Sequence, residues 1–289
     1  MVGLFLNIFN IEIEILCGDS RINSYLNCLY SNHINLQSKR RAGCISVTIV
    51  NKEEKDVNQY TLLLETAKFS LYNCENNDYL GIMEFSRIGS AESLYYNFCL
   101  PLLKFIMNDL GYITIHAAGI EVSNSGILLC GNSNSGKSTL STIALLYGGR
   151  FLNDDIVFLN RFNYAYSFYR PIHILPFIAE LIGIGDRVNK NEPYIKNRQE
   201  VNYFYQNYHL YNVRDCIKIK TIMELTYNEK LSLRWEYIED KRKKEEILIR
   251  NSFPLKSIDN FMFYKLEWGL KLLETPNILY EFFESISKV

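Results

Sequence analysis

The segment 131–139 reads G-N-S-N-S-G-K-S-T and fits the pattern G-x-x-x-x-G-K-[ST] at every fixed position. An apolar run, 126–130, comes directly before it, and a stretch with helical spacing, 140–147, comes directly after it. A strand, a glycine loop and a helix in this order can hold a phosphate group, because the loop amides and the helix N-terminus point at the same anion. The segment therefore predicts an α/β core built around a phosphate-binding loop.

Every residue of this loop is a candidate for contact with a nucleotide. The glycines let the backbone curl so that several N–H groups point inward. The Lys137 ammonium can reach the outer phosphates, and the Ser138 hydroxyl is suited to Mg²⁺. The alternative is a glycine-rich turn before an ordinary helix. The predicted nucleotide-binding residues are Gly131, Asn132, Ser133, Asn134, Ser135, Gly136, Lys137, Ser138 and Thr139.

Two adjacent carboxylates, Asp154 and Asp155, follow the loop after one helix and one turn. An aspartate at the end of the next strand can reach a magnesium ion opposite Ser138. Neighbouring side chains on an extended backbone point to opposite sides, so the pair suits two roles. One carboxylate would bind the metal, and the other would accept a proton from an attacking hydroxyl. The alternative is an acidic turn formed together with Asn153.

His116 is a further candidate, in a predicted strand ahead of the turn that leads into the loop. In isolation, a histidine in an apolar stretch is more often a packed core residue than a catalytic one. The other histidines, His33, His173 and His209, have no local motif.

Composition limits the classes of partner and compartment. The 289 residues carry a net charge of −1, which gives no support for binding to nucleic acid or to an anionic membrane. The 7 cysteines include no C-x-x-C pair and no zinc-ligand spacing, so they indicate free, mostly buried thiols in a reducing compartment. The chain start lacks the basic region of a signal peptide, and no apolar stretch could span a membrane. We expect a soluble cytoplasmic protein.

Hydrophobic patterning divides the chain into two parts. Residues 1–90 are predicted as a smaller β-rich N-terminal region, and 91–289 as the phosphate-loop domain with C-terminal helices. A helix over 91–110 opens the second part, with Ser90 or, alternatively, Ser93 as its N-cap and a kink at Pro101. The predicted strands of the first part are 8–16, 44–50, 60–65, 69–72 and 79–85.

The remaining elements of the second part follow from the same patterns. The segment 185–217, rich in Asn, Tyr and Lys, is either a lid or substrate-binding surface or a solvated loop. The basic run 241–244 indicates an exposed helical face rather than a nucleic-acid patch. The predicted strands are 113–117 and 120–122, separated by a tight turn at 124–126 from the strand before the loop, and later 218–225 and 231–237. The predicted closing helices are 257–274 and 276–287, the second capped by Thr275.

Together these residues resemble the HPr kinase/phosphorylase catalytic domain and its relatives. The resemblance rests on His116-Ala-Ala-Gly-Ile-Glu-Val, on the loop, and on Gly148-Gly149-Arg-Phe-Leu-Asn-Asp154-Asp155, and it covers about residues 95–160. It implies an HPr kinase-like core with a mixed sheet and flanking helices. By resemblance, the catalytic residues are Asp154 as base, His116 beside the acceptor and Lys137 on the β- and γ-phosphates, with Ser138 and Asp155 at the metal.

The chain also departs from the bifunctional enzymes of that family. Their Glu- and Arg-containing glycine-rich signature is missing, and Arg170-Pro171 and the segment 183–187 occupy its region. This departure argues against phosphorolysis and against the hexamer of those enzymes, and homo-oligomerisation stays open. The pattern is more similar to shorter relatives in pathways for ribosomally made, modified peptides, some of which phosphorylate a hydroxyl of a precursor peptide.

The sequence thus predicts a kinase that uses ATP and Mg²⁺ to phosphorylate a serine-type hydroxyl on a peptide or small protein. One alternative is a small-molecule hydroxyl kinase, for which the same core chemistry would serve. The other is a nucleotide-binding regulatory protein with weak hydrolysis. The paired aspartates and His116 speak against that second alternative, because a protein that only binds a nucleotide needs a single acidic metal ligand.

Overall fold

The chain divides into two compact units, Met1–Leu110 and Gly111–Val289. Each unit combines a mixed sheet with helices, so the predicted α/β class is confirmed. The computed structural model describes residues 2–8, 11–30, 44–51, 61–65, 69–74, 78–154, 156–166, 172–187, 189–196, 200–205, 216–251 and 259–288.

The first unit is built on a 6-stranded sheet with the order β1-β2-β3-β6-β5-β4. The pairs β2–β3 and β3–β6 are parallel, and the other pairs are antiparallel. The predicted strands are confirmed, with 8–16 corresponding to β2, whereas β1 was not predicted. The strands are β1 (Val2–Ile8), β2 (Ile11–Cys17), β3 (Ile45–Asn51), β4 (Thr61–Glu65), β5 (Phe69–Asn73) and β6 (Asp78–Met83).

Helices cover this sheet. Helix α1 (Ser20–Tyr30), which the sequence analysis missed, buries Ile22 and Leu26. The predicted helix over 91–110 is present as α2 (Ala91–Leu94), a π-helical turn (Tyr95–Cys99) and α3 (Leu100–Asp109). The Ser90 hydroxyl accepts a hydrogen bond from the Ser93 amide, as predicted for an N-cap.

The π-helical turn lies directly before Pro101, where a kink was expected. Proline has no N–H to donate, so the helix changes its hydrogen-bond register there. This helical stretch belongs to the first unit, whereas the predicted boundary at residue 90 put it in the second. The Phe98 ring packs edge-on against Phe69 of β5, with their centroids 4.9 Å apart, and this core contact explains the difference.

The second unit is built on a 9-stranded sheet with the path β10-β8-β9-β16-β12-β11-β7, and β18 and β17 continue outward from β16. Strands β9, β16 and β18 are parallel to one another, and the other pairs are antiparallel. The strands are β7 (Ile113–Ile115), β8 (Ala117–Val122), β9 (Ser125–Cys130), β10 (Arg150–Asn153), β11 (Val157–Leu159), β12 (Tyr164–Tyr166), β16 (Cys216–Tyr227), β17 (Leu233–Tyr237) and β18 (Met262–Trp268).

Helices cover both faces of this sheet. Alternate residues of β9 enter two different cores: Ile127 and Leu129 pack with α4 and α7, whereas Leu128 and Cys130 pack with α6. Burial on both faces explains why this strand reads as a continuous apolar run. The helices are α4 (Lys137–Leu146), α5 (Pro176–Leu181), α6 (Lys241–Arg250) and α7 (Asn277–Ser287). A separate 3-stranded sheet joins β13 (Ile172–Ile174), β15 (Glu200–Tyr205) and β14 (Asn189–Lys196) in that order.

Several predictions in this unit need correction. The first closing helix is wrong, because its described part consists of β18 and a short 3₁₀ helix (Leu270–Glu274). Helix α7 is present but has no side-chain cap from Thr275. The tight turn lies at Ser123 and Asn124, both with positive φ, so β9 already begins at Ser125. The segment 185–217 contains β14, β15 and the start of β16 instead of being a long loop, and its residues 188, 197–199 and 206–215 lie outside the described residues.

Cysteine pairing and helix length bear on the remaining predictions. None of the six cysteines whose side chains are described forms a disulfide, and four of the six are buried. Within the described ranges, every helix is too short or too polar to cross a membrane.

Candidate functional site

The phosphate-loop motif forms the connection between β9 and α4, as the sequence predicts. Its two glycines adopt the positive φ values that favour this residue, 148° at Gly131 and 97° at Gly136. Asn134, with a φ of 65°, is the other left-handed position of the loop. The tip at 132–134 is exposed, whereas Ser135 and Lys137 are buried. The loop therefore has an open tip on a fixed base.

Lys137 folds back over the loop that it follows. Its ammonium donates hydrogen bonds to the carbonyl oxygens of Gly131, at 2.8 Å, and Asn132, at 3.1 Å. A buried ammonium needs such acceptors, because an unpaired charge away from water is strongly unfavourable. The charge is thus held at the mouth of the loop, where an anion would meet it.

Ser138 and Asp154 meet directly. The Ser138 hydroxyl oxygen lies 2.9 Å from Asp154 Oδ1 and 3.0 Å from Oδ2, and Asp154 is buried. The Asn153 side chain fixes the turn that carries this carboxylate: its Oδ1 accepts from the Asp154 amide at 2.9 Å, and its Nδ2 donates to the Ile156 carbonyl. Asn153 appeared in the sequence analysis only as part of an alternative acidic turn, and here it positions the turn.

Strand pairing brings His116 opposite this turn. It lies between β7 and β8, in a break of the predicted strand, and it is exposed rather than packed in the core. On one side of the break Ile115 pairs with Val157, and on the other side Gly119 pairs with Asn153. The break between β7 and β8 therefore faces the break between β10 and β11. The histidine thus lies at the same edge of the sheet as Asp154.

Trp268 is a part of the site that the sequence analysis missed. It ends β18, and its indole N–H donates a hydrogen bond of 2.7 Å to the carbonyl of Ser135. The same ring lies against Gly136, where any Cβ atom would collide with it. The Tyr227 ring packs edge-on behind the indole, with the centroids 5.1 Å apart. No sequence motif links the loop to a tryptophan so far along the chain, and only the packing of β18 beside β16 reveals the contact.

Charged groups also lie behind the loop, around the thiol of Cys130. Burial raises the pKa of this thiol to about 12, with the Glu224 carboxylate acting in the same direction and the Lys137 ammonium opposing it. The thiol is therefore protonated at neutral pH and unsuited to be a nucleophile. Glu224, paired with Cys130 across the β9–β16 ladder, forms an ion pair with Arg250 of α6.

The buried hydroxyl of Ser135 supports an anion site. Its oxygen has no hydrogen-bond partner in the described part of the chain, and a Cβ atom on Gly131 would come within 2.6 Å of it. A buried hydroxyl without a partner is unfavourable, and a phosphate oxygen in the loop could accept its hydrogen bond. The loop glycines, this donor and the Lys137 ammonium therefore fit a phosphate group.

The donor set also fits Mg²⁺ held together with phosphate. Within the described residues, His, Cys, Asp and Glu side chains do not gather in groups of three or more that could hold a metal. Mg²⁺ at a phosphate loop does not need such a group, since a hydroxyl, one carboxylate, phosphate oxygens and water complete its shell. Ser138 and Asp154 provide these two protein groups. Asp155, the predicted metal ligand, lies outside the described residues, as do Arg170 and Pro171.

Replacing Gly136 with alanine is expected to destabilise the second unit more than the same change at Gly183. Both glycines have positive φ, 97° and 74°, but the space around Gly183 is open, whereas Gly136 contacts Trp268. Left-handed backbone costs a residue with a Cβ roughly 1–2 kcal/mol, and the collision adds to this at Gly136 alone. Chemical unfolding of both variants measures the difference. Equal losses of unfolding free energy would contradict the close packing of the indole on the loop.

Comparison with known proteins finds distant similarity among solved structures. No family model matches the chain, and no curated protein matches it. Among solved structures, the chain is similar to the Hpr(Ser) kinase/phosphatase from Coxiella burnetii, with 14% sequence identity and a TM-score of 0.33 over 61% of this chain and 99% of that chain. This similarity is distant and concerns the fold alone.

Proposed function

We propose that this protein is a kinase that uses ATP and Mg²⁺ to phosphorylate a serine-type hydroxyl on a peptide or small protein. The observation that carries the proposal is the contact of Ser138 with both carboxylate oxygens of Asp154, at 2.9 and 3.0 Å. A loop hydroxyl beside the carboxylate of another strand is the pair that binds the metal of a nucleoside triphosphate. A simple glycine turn has no need of this pair.

Binding of the triphosphate follows from the loop. The backbone amides and the N-terminus of α4 attract the phosphates, and the Lys137 ammonium exchanges its loop carbonyls for phosphate oxygens. The interactions of these groups with the phosphates strengthen as negative charge builds on the transferring group. Electrostatic stabilisation of that charge in the transition state accelerates the reaction. Ser138 and Asp154 would hold a magnesium ion, which would neutralise part of that charge.

Transfer itself needs an acceptor oxygen in line with the bond that breaks. The hydroxyl oxygen forms a bond to the γ-phosphorus, the bond from that phosphorus to the β,γ-bridging oxygen breaks, and ADP leaves. The hydroxyl proton passes to a carboxylate. The Ser138 contact favours Asp154 as the metal-binding carboxylate, the reverse of the roles predicted by resemblance. Asp155 is then the proposed base, and exposed His116, on the same edge, is proposed to contact the acceptor.

The peptide acceptor rests on the sequence resemblance alone and is tested directly. The purified protein is incubated with ATP, Mg²⁺ and a panel of serine-containing peptides, and mass spectrometry looks for the mass increment of one phosphate group. The proposal expects an increment on at least one peptide that disappears when EDTA removes the metal. Phosphorylation of small hydroxyl metabolites alone would favour the small-molecule alternative. ATP hydrolysis without any acceptor would favour the regulatory one.

A further inference from the structure

The peptide unit between Ser135 and Gly136 is held from outside the loop. Its carbonyl accepts the indole N–H of Trp268 at 2.7 Å, in a contact that is buried. The carbonyl and the N–H of one trans peptide unit point in opposite directions, because the unit is planar. A carbonyl fixed toward Trp268 therefore turns the Gly136 N–H away from the indole.

That orientation matters for an anion. Gly136 immediately precedes Lys137, the first residue of α4, so its amide belongs to the group of N–H donors at the helix N-terminus. If this peptide unit flipped, the loop would present a carbonyl oxygen where it now presents a donor. A partial negative charge at that place would repel a phosphate.

Two properties of Trp268 oppose such a flip. Its N–H is used by the Ser135 carbonyl, and its ring lies in contact with Gly136, whose φ of 97° is open to glycine at little strain. The residue is buried, with 3% of its surface exposed, and Tyr227 packs against it. The indole is thus a fixed support rather than a mobile side chain.

We propose that Trp268 is a positioning residue of the donor site, which holds the Ser135–Gly136 peptide unit with its N–H toward the phosphates. The role rests on the proposed function in that the anion is the triphosphate of ATP. The residue acts through the loop and does not touch the nucleotide. Strand β18 is thereby part of the nucleotide site, although it is distant from the motif in sequence.

The variant Trp268→Phe tests the role, because it keeps an aromatic ring and removes the N–H. The Ser135 carbonyl then lacks its buried donor, and we expect the calorimetric Kd for ATP to rise by about tenfold or more. The matched control is Trp235→Phe on β17, since the chain has only 2 tryptophans and Trp235 is 48% exposed. This control is expected to bind ATP with the same Kd as the wild-type protein.

Comparing the Kd for ATP with the melting temperature of Trp268→Phe distinguishes a positioning role from a simple packing role. A packing role would lower the melting temperature and leave the Kd unchanged at temperatures well below melting. A positioning role raises the Kd for ATP, ADP and inorganic pyrophosphate alike, because all three use the loop amides. A Trp268→Phe protein that is folded and binds all three with unchanged affinity overturns the proposal.

A second measurement covers the case in which Trp268→Phe does not fold. In the Trp235→Phe protein, Trp268 is the sole tryptophan, so its indole N–H gives a single NMR signal. This signal should be protected from exchange and should shift as ATP saturates the loop. An unshifted signal at saturation overturns the proposal.

The outcomes also distinguish this inference from the kinase assignment. ATP binding that weakens in Trp268→Phe, without transfer to any acceptor, supports the positioning role and rejects the kinase. Transfer that is intact in Trp268→Phe, with unchanged ATP affinity, supports the kinase and rejects the positioning role. If the wild-type protein binds neither ATP nor pyrophosphate, both the positioning role and the kinase assignment are rejected.

Discussion

Replacing Lys137 with methionine is expected to lower kcat/KM for phosphoryl transfer by at least about a hundredfold, the scale for removing one preorganised charge-stabilising group. Methionine keeps a flexible apolar stem of similar reach, so the change removes the ammonium with little loss of packing. In the present structure that ammonium lies 2.8 and 3.1 Å from two loop carbonyls. It is therefore already held beside the loop, where the proposed function places the outer phosphates.

Steady-state kinetics with saturating peptide would measure the effect, and circular dichroism would check the fold. Lys241→Met is the matched control, because Lys241 begins the exposed basic stretch of α6. It should leave kcat/KM unchanged. A well-folded Lys137→Met protein with undiminished transfer would remove the basis for the phosphate-loop assignment.

The geometry around the loop of the candidate site could be predicted because its signals are local. The glycines, Lys137 and Ser138 lie within one short segment, and the apolar run before them is a strand buried on both faces. Asp154 follows after one helix, so its arrival beside Ser138 needed only the assumption that the next strand lies nearby. Local pattern and short connections determine such contacts.

The features of the fold and of the candidate site that the sequence did not predict depend on long-range packing. The apolar residues of 262–268 were interpreted as part of a helix, yet this segment pairs in parallel with β16, and no local signal encodes that partner. The contact of Trp268 with the loop could therefore not be predicted from the sequence. The positioning role of Asn153 was missed for a different reason: an amide that closes a turn through Asp154 and Ile156 looks like any polar residue next to a carboxylate.

Replacing Asp154 with asparagine is expected to raise the Mg²⁺ concentration for half-maximal transfer by at least about tenfold. Loss of groups that merely support a metal ligand already weakens metal binding by about ten- to a hundredfold. Asparagine keeps an oxygen that can accept from Ser138, so the buried turn should remain folded while the charge that attracts Mg²⁺ is lost. The effect should shrink as Mg²⁺ is raised, because a weakened site can still be filled by mass action.

Transfer rates measured across a Mg²⁺ titration at saturating ATP distinguish the roles of Asp154 and Asp155. Asp155→Asn, the proposed loss of the base, should lower kcat with an unchanged half-saturating Mg²⁺ concentration. Asp240→Asn is the control, because this helix cap accepts from the amides of Arg242 and Lys243 and asparagine caps equally well. If Asp154→Asn instead lowers kcat at every Mg²⁺ concentration and leaves the metal requirement unchanged, Asp154 is the base, and its contact with Ser138 holds it ready for the acceptor proton.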